Sequence, residues 1–137
     1  MKDLRQFYIN GQWVDPVQAR DLAVENPSTE ELVATISLGA AADVDAAVAA
    51  AKVAFPAYSK VSVEERIALM EKLLQIYKDR YDEMAVAISV EMGAPISFAS
   101  AAQADCGRGH INAAIESLKQ FEFERQVGNT RIVREPI

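Results

Sequence analysis

The sequence predicts a mostly α-helical chain with a β region at its N-terminus and a β-hairpin at its C-terminus. Three observations support this fold class. Short segments separated by turn residues fill the chain as far as Gly39. Apolar residues then recur at intervals of three and four, which is typical of amphipathic helices. Near the C-terminus, Gly128-Asn129 separates two segments in which charged residues alternate with other types.

The N-terminal β region is predicted to contain a tight hairpin followed by two longer strands. Residues 7–9 and 12–14 flank Asn10-Gly11, a pair that readily adopts the positive φ angles of a two-residue hairpin turn. Residues 22–25 and 32–38 are the next two candidate strands. They are separated by Pro27 and polar neighbours that favour a turn.

The first two predicted helices have recognisable ends. Asp43 is expected to cap the first, which runs to about Phe55 because Pro56 discourages its continuation. Ser62 and Glu65 form a capping-box pattern at the start of the second. The apolar residues of the second helix advance in steps of three and four and define one continuous stripe, made of Ile67, Met70, Leu74, Tyr77, Tyr81, Met84 and Ile88.

The Gly-Ala-Pro sequence at 93–95 is expected to end that helix, and a third helix begins near Ile96. Gly107 and Gly109 lie within the third helix, so we expect a break or a close helix contact there. Residues 121–125 and 130–135 then form the terminal hairpin. Its arginines are interleaved with glutamates, which indicates a solvated or interfacial strand pair and not a nucleic-acid patch.

Composition and charge limit the possible classes of protein. The chain has 137 residues, a formal net charge of −6 and one cysteine, Cys106. The acidic balance argues against unaided binding to nucleic acid or to acidic lipid. No internal disulfide can form, and the N-terminus lacks the apolar run of a signal peptide. We therefore expect a soluble, cytoplasmic protein without a membrane span.

The order of the predicted elements indicates part of a larger structure. Strands followed by helices and a hairpin do not give the alternation that builds a parallel sheet. No Gly-rich phosphate loop joins a strand to a helix. The stripe from Ile67 to Ile88 therefore has no parallel sheet in this chain on which to pack, and we expect another copy or further sequence to bury it. We accordingly expect the isolated segment to self-associate or to swap part of its chain with another copy.

Six segments carry a resemblance to a known family: FYINGQWV at 7–14, VENPST at 24–29, DVDAAV at 43–48, the helix from 64 onward, EMGAP at 91–95 and REPI at 134–137. In this order and spacing they are similar to the N-terminal part of the NAD(P)-dependent aldehyde dehydrogenase family. The resemblance covers essentially the whole chain. Many family members have a lysine where this sequence has Ala94, which leaves the subfamily open.

The resemblance implies an α/β protein with a doubly wound cofactor domain, a catalytic domain and a β arm for oligomerisation. It also implies oxidation of an aldehyde to a carboxylic acid with NAD or NADP, through a thiohemiacetal and a thioester on a cysteine. An asparagine and a backbone amide would hold the oxyanion, and a glutamate would activate water. None of these catalytic or cofactor-binding residues can be placed in this chain.

The family pattern divides the chain in two. Residues 1–120 would form strands and a helical layer that packs on the cofactor domain, and residues 121–137 would start the oligomerisation arm of a homo-oligomer. We expect the 137 residues alone to be inactive. The rival hypothesis is a non-enzymatic helical module that kept this layer for partner binding. Sequence after Ile137 with an asparagine-bearing aromatic loop and a later Gln-x-Cys segment would favour the enzyme.

A monovalent-cation site is the one binding site that the resemblance places within these residues. Glu91 matches an acidic position at such a site in the family, where backbone carbonyls near Val24 and Glu25 supply further oxygens. Hard cations prefer oxygen ligands, and a backbone carbonyl can provide one whatever its side chain. The alternative is that Glu91 is a solvated carboxylate near a helix end.

Cys106 and His110 are candidates for chemistry by residue type alone. The segment from Gln103 to Cys106 faintly resembles the nucleophile segment of the family, but the spacing differs by one residue. The negative charge of Asp105 beside the thiol also disfavours a thiolate. We therefore predict that Cys106 is a half-buried helix cysteine. His110 has no second ligand at metal-binding spacing, so a core or surface histidine is expected.

Overall fold

The computed structural model describes residues 2–135, so Met1, Pro136 and Ile137 lie outside the described residues. Five strands come first: β1 (Lys2–Leu4), β2 (Phe7–Ile9), β3 (Gln12–Val14), β4 (Asp21–Asn26) and β5 (Glu31–Ser37). The helices come next: α1 (Ala41–Tyr58), α2 (Val63–Asp79), α3 (Tyr81–Met92), α4 (Ile96–Phe98), a π-helical segment (Ala99–Ala104) and α5 (Asp105–Gln120). A hairpin of β6 (Glu124–Val127) and β7 (Thr130–Val133) completes the order, and it confirms the predicted fold class of the segment.

The turn chemistry that the sequence predicts is confirmed at three places. Asn10 and Gly11 have φ angles of 52° and 76°, as a two-residue turn between β2 and β3 requires. Gly93 ends α3 with φ of 68°, and Gly128 turns the β6–β7 hairpin with φ of 58°. A positive φ costs little only where the residue has no Cβ or a short polar side chain, so these positions could be found from sequence.

The β region contains a pairing that sequence reasoning missed. Strands β4 and β5 form an antiparallel pair, and the short β1 adds to the other side of β5 in parallel. Lys2 to Leu4 had no predicted strand, because three residues without alternation carry no periodic signal. This one pair is parallel, although the order of the elements does not predict a parallel sheet.

The first helix differs from its prediction at both ends. Ala40 is the N-cap, and Asp43 lies one turn inside the helix, where its carboxylate accepts hydrogen bonds from the amides of Ala40 and Val17. Pro56 lies within the last turn and α1 continues to Tyr58. A proline disturbs the carbonyl four residues before it more than the residues after it, so the helix can continue beyond it.

The second predicted helix is two helices. The capping box of Ser62 and Glu65 is confirmed at the start of α2. Arg80, with φ of −109° and ψ of 20°, then interrupts the helix and separates α2 from α3. The stripe from Ile67 to Ile88 is thus not continuous. Helical periodicity does not detect a break at a residue such as arginine, which is itself a good helix former.

Part of the stripe is buried within the chain, contrary to the expectation that only outside sequence could cover it. Helix α5 packs on α2, and the π-helical segment packs on α3. The most buried apolar residues accordingly come from several elements: Ala34, Leu74, Ala85, Ala99, Ala104 and Ile115. Most of these side chains are small. Met84 of the stripe is 41% exposed, so this part of the stripe is not covered within the chain.

Candidate functional site

An apolar groove of about 930 Å³ separates the small sheet from helices α2 and α3. The sheet contributes one wall, with Leu4, Val24, Val33, Ala34 and Ile36. The helices contribute the other, with Leu73, Ile76, Tyr77, Met84, Val86, Ala87 and Val90. Five charged residues also line it: Lys2, Arg80, Asp82, Glu83 and Glu91. We call this set of residues the groove.

The large side chains of the groove are exposed to a degree that is unusual for residues of their type. Leu73 is 53% exposed, Ile76 is 46% exposed and Val86 is 53% exposed. Contiguous apolar surface of this kind in a protein marks a place where another surface packs. The groove has the chemistry of an uncovered interface, because apolar groups dominate its lining.

The charged residues of the groove partly neutralise one another. Arg80 and Glu83 form an ion pair of 2.8 Å, one turn apart. The hydrogen bond and charge of Arg80 lower the pKa of the Glu83 carboxyl. Both side chains are exposed, so this pair contributes little to stability.

Two of the three residues predicted for the cation site are among the residues that line the groove. Val24 on β4 and Glu91 in the last turn of α3 both line the groove. Glu25 is exposed and is not among the lining residues. The β4–β5 ladder is irregular at this point, since Val24 pairs with Ala34 and Glu25 pairs with Leu32. One residue of β5 is therefore unpaired, which changes the direction of the nearby backbone groups.

A hydrogen bond that the sequence did not predict joins the β4–β5 turn to the end of α3. The Ser28 hydroxyl, in the turn between β4 and β5, donates a 2.9 Å hydrogen bond to the Gly93 carbonyl oxygen. Sequence reasoning assigned Gly93 only to the helix stop. The segments that contain Ser28 and Gly93 both belong to the family resemblance, but nothing local in either one indicates that they meet.

Cys106 and His110 lie apart from the groove. Cys106 is in the first turn of α5 and is exposed, so the prediction of a half-buried cysteine is wrong. Arg108 forms an ion pair with Asp105 on the same helix. His110 is exposed, so of the two predicted alternatives, a core or a surface histidine, the structure shows a surface histidine. Within residues 2–135, no three His, Cys, Asp or Glu side chains cluster as a metal site would require.

None of the helices between Lys2 and Glu135 is both long and apolar enough to cross a bilayer.

Comparison with known proteins decides the family. The family model described as the aldehyde dehydrogenase family matches residues 13–137. This chain belongs to the aldehyde dehydrogenase family. The resemblance carried by the six segments is confirmed.

Individual family members resemble this chain over almost all of its length. A 3-succinoylsemialdehyde-pyridine dehydrogenase from a Pseudomonas species is 46% identical over 137 residues, covering 99% of this chain and 29% of that protein. A crystal structure of an aldehyde dehydrogenase from Bartonella henselae matches with a TM-score of 0.91 at 46% identity, over 95% of this chain and 28% of that one.

A second crystal structure was solved with ligands. It is a mutant of aldehyde dehydrogenase C from Pseudomonas syringae, complexed with NAD+ and octanal. It matches with a TM-score of 0.93 at 44% identity, over 97% of this chain and 27% of that one. This chain thus spans less than a third of the length of these aldehyde dehydrogenases.

Proposed function

We propose that these 137 residues form the N-terminal part of an NAD(P)-dependent aldehyde dehydrogenase that oxidises an aldehyde to a carboxylic acid. The match over 97% of the chain to a family member complexed with NAD+ and octanal is the observation that carries this proposal. The reaction would proceed through a thiohemiacetal and a thioester on a cysteine outside these residues. NAD or NADP would accept the hydride. Alone, the chain would be inactive.

The role of this chain in the reaction would be to support the cofactor domain. Its described residues contain no glycine-rich loop between a strand and a helix, so other sequence would hold the dinucleotide. The groove supports such a role, because its apolar lining would be buried when the rest of the cofactor domain packs on it. Without that cover, the chain would associate with itself. Light scattering that shows a monomer over a wide concentration range would contradict self-association.

We also propose that Glu91 and the backbone carbonyls of Val24 and Glu25 hold a monovalent cation. The shared position of Val24 and Glu91 in the groove, and the irregular ladder beside Val24, support this ligand set. A bound ion stabilises the folded state in proportion to the logarithm of its concentration once the site fills. Potassium should therefore raise the melting temperature more than choline at equal ionic strength.

Two variants test the cation in a protein that contains the cofactor domain. Glu91→Gln should remove the potassium-specific rise in melting temperature. Asp82→Asn, which changes another carboxylate of the groove, should retain it. Equal potassium dependence in the Glu91→Gln variant and the unchanged protein would exclude Glu91 as a ligand.

Further proposals concern the setting of the whole enzyme. The β6–β7 hairpin, whose side chains are mostly exposed, would start an oligomerisation arm, and the enzyme would be a homo-oligomer. A cytoplasmic location is supported by the acidic composition and the single cysteine. Neither nucleic acid nor a membrane is proposed as a partner.

A hybrid enzyme tests the main proposal. The corresponding segment of the Pseudomonas syringae enzyme would be replaced by these 137 residues, and NADH formation would be followed with octanal. We expect the hybrid to fold and to reduce NAD+, and the isolated chain to show no activity. A folded hybrid without activity would favour the alternative, a non-enzymatic interaction module. Activity in the isolated chain, free of any longer protein, would overturn the proposal.

A further inference from the structure

Two tyrosines on neighbouring helices hold the π-helical segment from both ends. The Tyr77 hydroxyl donates a 2.8 Å hydrogen bond to the Ala104 carbonyl oxygen. The Tyr81 hydroxyl donates a 2.5 Å hydrogen bond to the Ser100 carbonyl oxygen. The two donors are four residues apart, and so are the two acceptors, in the opposite order. The tyrosine rings also meet edge to face, with centroids 6.3 Å apart.

The surrounding residues leave just enough space for these bonds. Ala99 and Ala104 are fully buried, so the most buried positions of the segment, which packs on α3, carry small side chains. Gly107 is the residue next to the Tyr77 ring, and a Cβ there would lie 2.7 Å from Tyr77 Cζ. A methyl group at position 107 would therefore force the Tyr77 hydroxyl out of its present place. This explains one of the two glycines that the sequence places in α5.

A π-helical turn needs an explanation, because it is rarer than an α-helical turn and occurs mostly as short insertions. Here Gln103 adds to the cost. Its amide nitrogen lies 3.4 Å from Met92 Sδ, and its buried amide oxygen has no hydrogen-bond partner among the residues that the structure describes. External donors to the backbone carbonyls offset this cost, and the two tyrosines are such donors.

The π-helical segment also sets the direction of helix α5. A π-helical turn accommodates one more residue than an α-helical turn. If residues 99–104 became α-helical, α5 would rotate by about 100° about its own axis, since each residue of an α-helix turns the chain by that angle. Ile115, now 3% exposed, would leave its place in the core. The hairpin would move with α5, because Arg134 lies 4.9 Å from the Phe121 ring at the end of that helix and bonds the Glu122 carbonyl.

We propose that Tyr77 and Tyr81 act as a clamp that keeps residues 99–104 π-helical and thereby fixes the rotation of α5 and the position of the β6–β7 hairpin. The clamp joins the break at Arg80 to the π-helical segment, so two irregular places in the helical layer stabilise each other. It does not depend on the proposed cation or on catalysis. Its failure and that of the proposed function can therefore be told apart.

Hydrogen exchange, measured by mass spectrometry on the full 137-residue chain, tests the clamp. Tyr77→Phe and Tyr81→Phe should each speed exchange in residues 99–105 about fivefold, while exchange in α1 stays unchanged. The double variant should also change the labelling rate of the Cys106 thiol, because α5 turns. Tyr58→Phe is the control: this residue is 52% exposed, and removing its hydroxyl should change neither measurement.

A second pair of variants keeps both phenols. Gly107→Ala should speed exchange in 99–105 as Tyr77→Phe does, although alanine favours helix. Gly109→Ala, where a Cβ would meet no atom within 4 Å, should slow it or leave it unchanged. If the double tyrosine variant does not fold, the Gly107→Ala, Gly109→Ala and Tyr81→Phe variants still test the clamp. Exchange in residues 99–105 that is no faster in the Tyr77→Phe and Tyr81→Phe variants than in Tyr58→Phe would overturn the clamp. Exchange that is slower in Gly107→Ala than in the unchanged chain would also overturn it. An unchanged thiol rate would overturn the rotation of α5.

Discussion

The Ser28 hydroxyl donates to the Gly93 carbonyl oxygen across 65 residues of sequence, and so joins the β4–β5 turn to the end of α3. The two residues fit closely. Gly93 has φ of 68°, and a Cβ there would lie 2.7 Å from Ser28 Oγ and 2.8 Å from Pro27 Cγ. The β4–β5 turn and the end of α3 therefore meet at a contact that leaves no space for a side chain at 93.

Gly93→Ala should destabilise the chain by more than the cost of its backbone angle alone. A non-glycine residue in the left-handed region costs about 1–2 kcal/mol, and the clash with Ser28 and Pro27 adds to it. Gly128→Ala is the matched control, since Gly128 has φ of 58° and nothing near its missing Cβ. Urea denaturation would compare them. Equal losses of unfolding free energy would show that the contact with Ser28 contributes nothing.

Ser62→Ala should lower the unfolding free energy by about 1 kcal/mol, because it removes the N-cap of α2. Ser62 Oγ accepts from the Glu65 amide at 3.1 Å, and the Glu65 carboxylate accepts from the Ser62 amide at 3.0 Å. Ser62→Asp can still cap and should retain most of the stability. The same denaturation measurement applies, and an alanine variant as stable as the aspartate variant would contradict the capping role.

Because of Asp43, the unfolding free energy should decrease as the pH falls into the acid range. Hydrogen bonds from the amides of Val17 and Ala40 lower the pKa of this carboxyl below its ordinary value of 3.8. A lowered folded-state pKa means that the contribution is complete above the ordinary value and is lost as the pH falls through the folded-state value. Asp43→Asn should therefore be less stable at neutral pH and should lose less stability on acidification below 3.8.

Asp45→Asn is the control for Asp43, because Asp45 is exposed on the same helix. Thermal unfolding between neutral pH and the acid range would be recorded for both variants. The Asp45 variant should match the unchanged chain at every pH. An Asp43→Asn curve parallel to that of the unchanged chain would show that the two amide bonds do not couple folding to this carboxylate.

Ile76→Glu should have a small effect on the isolated chain and a large effect on the hybrid enzyme. In the monomer of the isolated chain Ile76 is 46% exposed, so at concentrations too low for self-association the substitution should change the unfolding free energy by about 0.5 kcal/mol or less. In the hybrid the groove would be covered, and an unpaired buried carboxylate there should abolish NADH formation with octanal. Val53→Glu, at an 81% exposed position outside the groove, should leave both proteins unchanged. Full activity in the hybrid carrying Ile76→Glu would contradict burial of the groove.

Residues with strong local preferences made much of this fold predictable. The Asn10-Gly11 turn, the Ser62–Glu65 capping box, the stop at Gly93 and the Gly128 hairpin each depend on neighbours within about four positions. The fold class and the element order could be predicted from them. Residues 24, 25 and 91 came from the family resemblance and not from any spacing, and the structure places two of them in one groove.

The sequence by itself determined the turns at Asn10-Gly11, Gly93 and Gly128 and the capped start of α2, because these depend on interactions within one or two turns of the chain. Only the tertiary structure decided the break at Arg80, the parallel pairing of β1 with β5 and the contact of Tyr77 with Gly107. Each of these joins residues that are far apart in sequence or overrides a local preference for helix. Local preferences extend over only a few neighbouring residues, so they do not specify pairings and contacts of this kind.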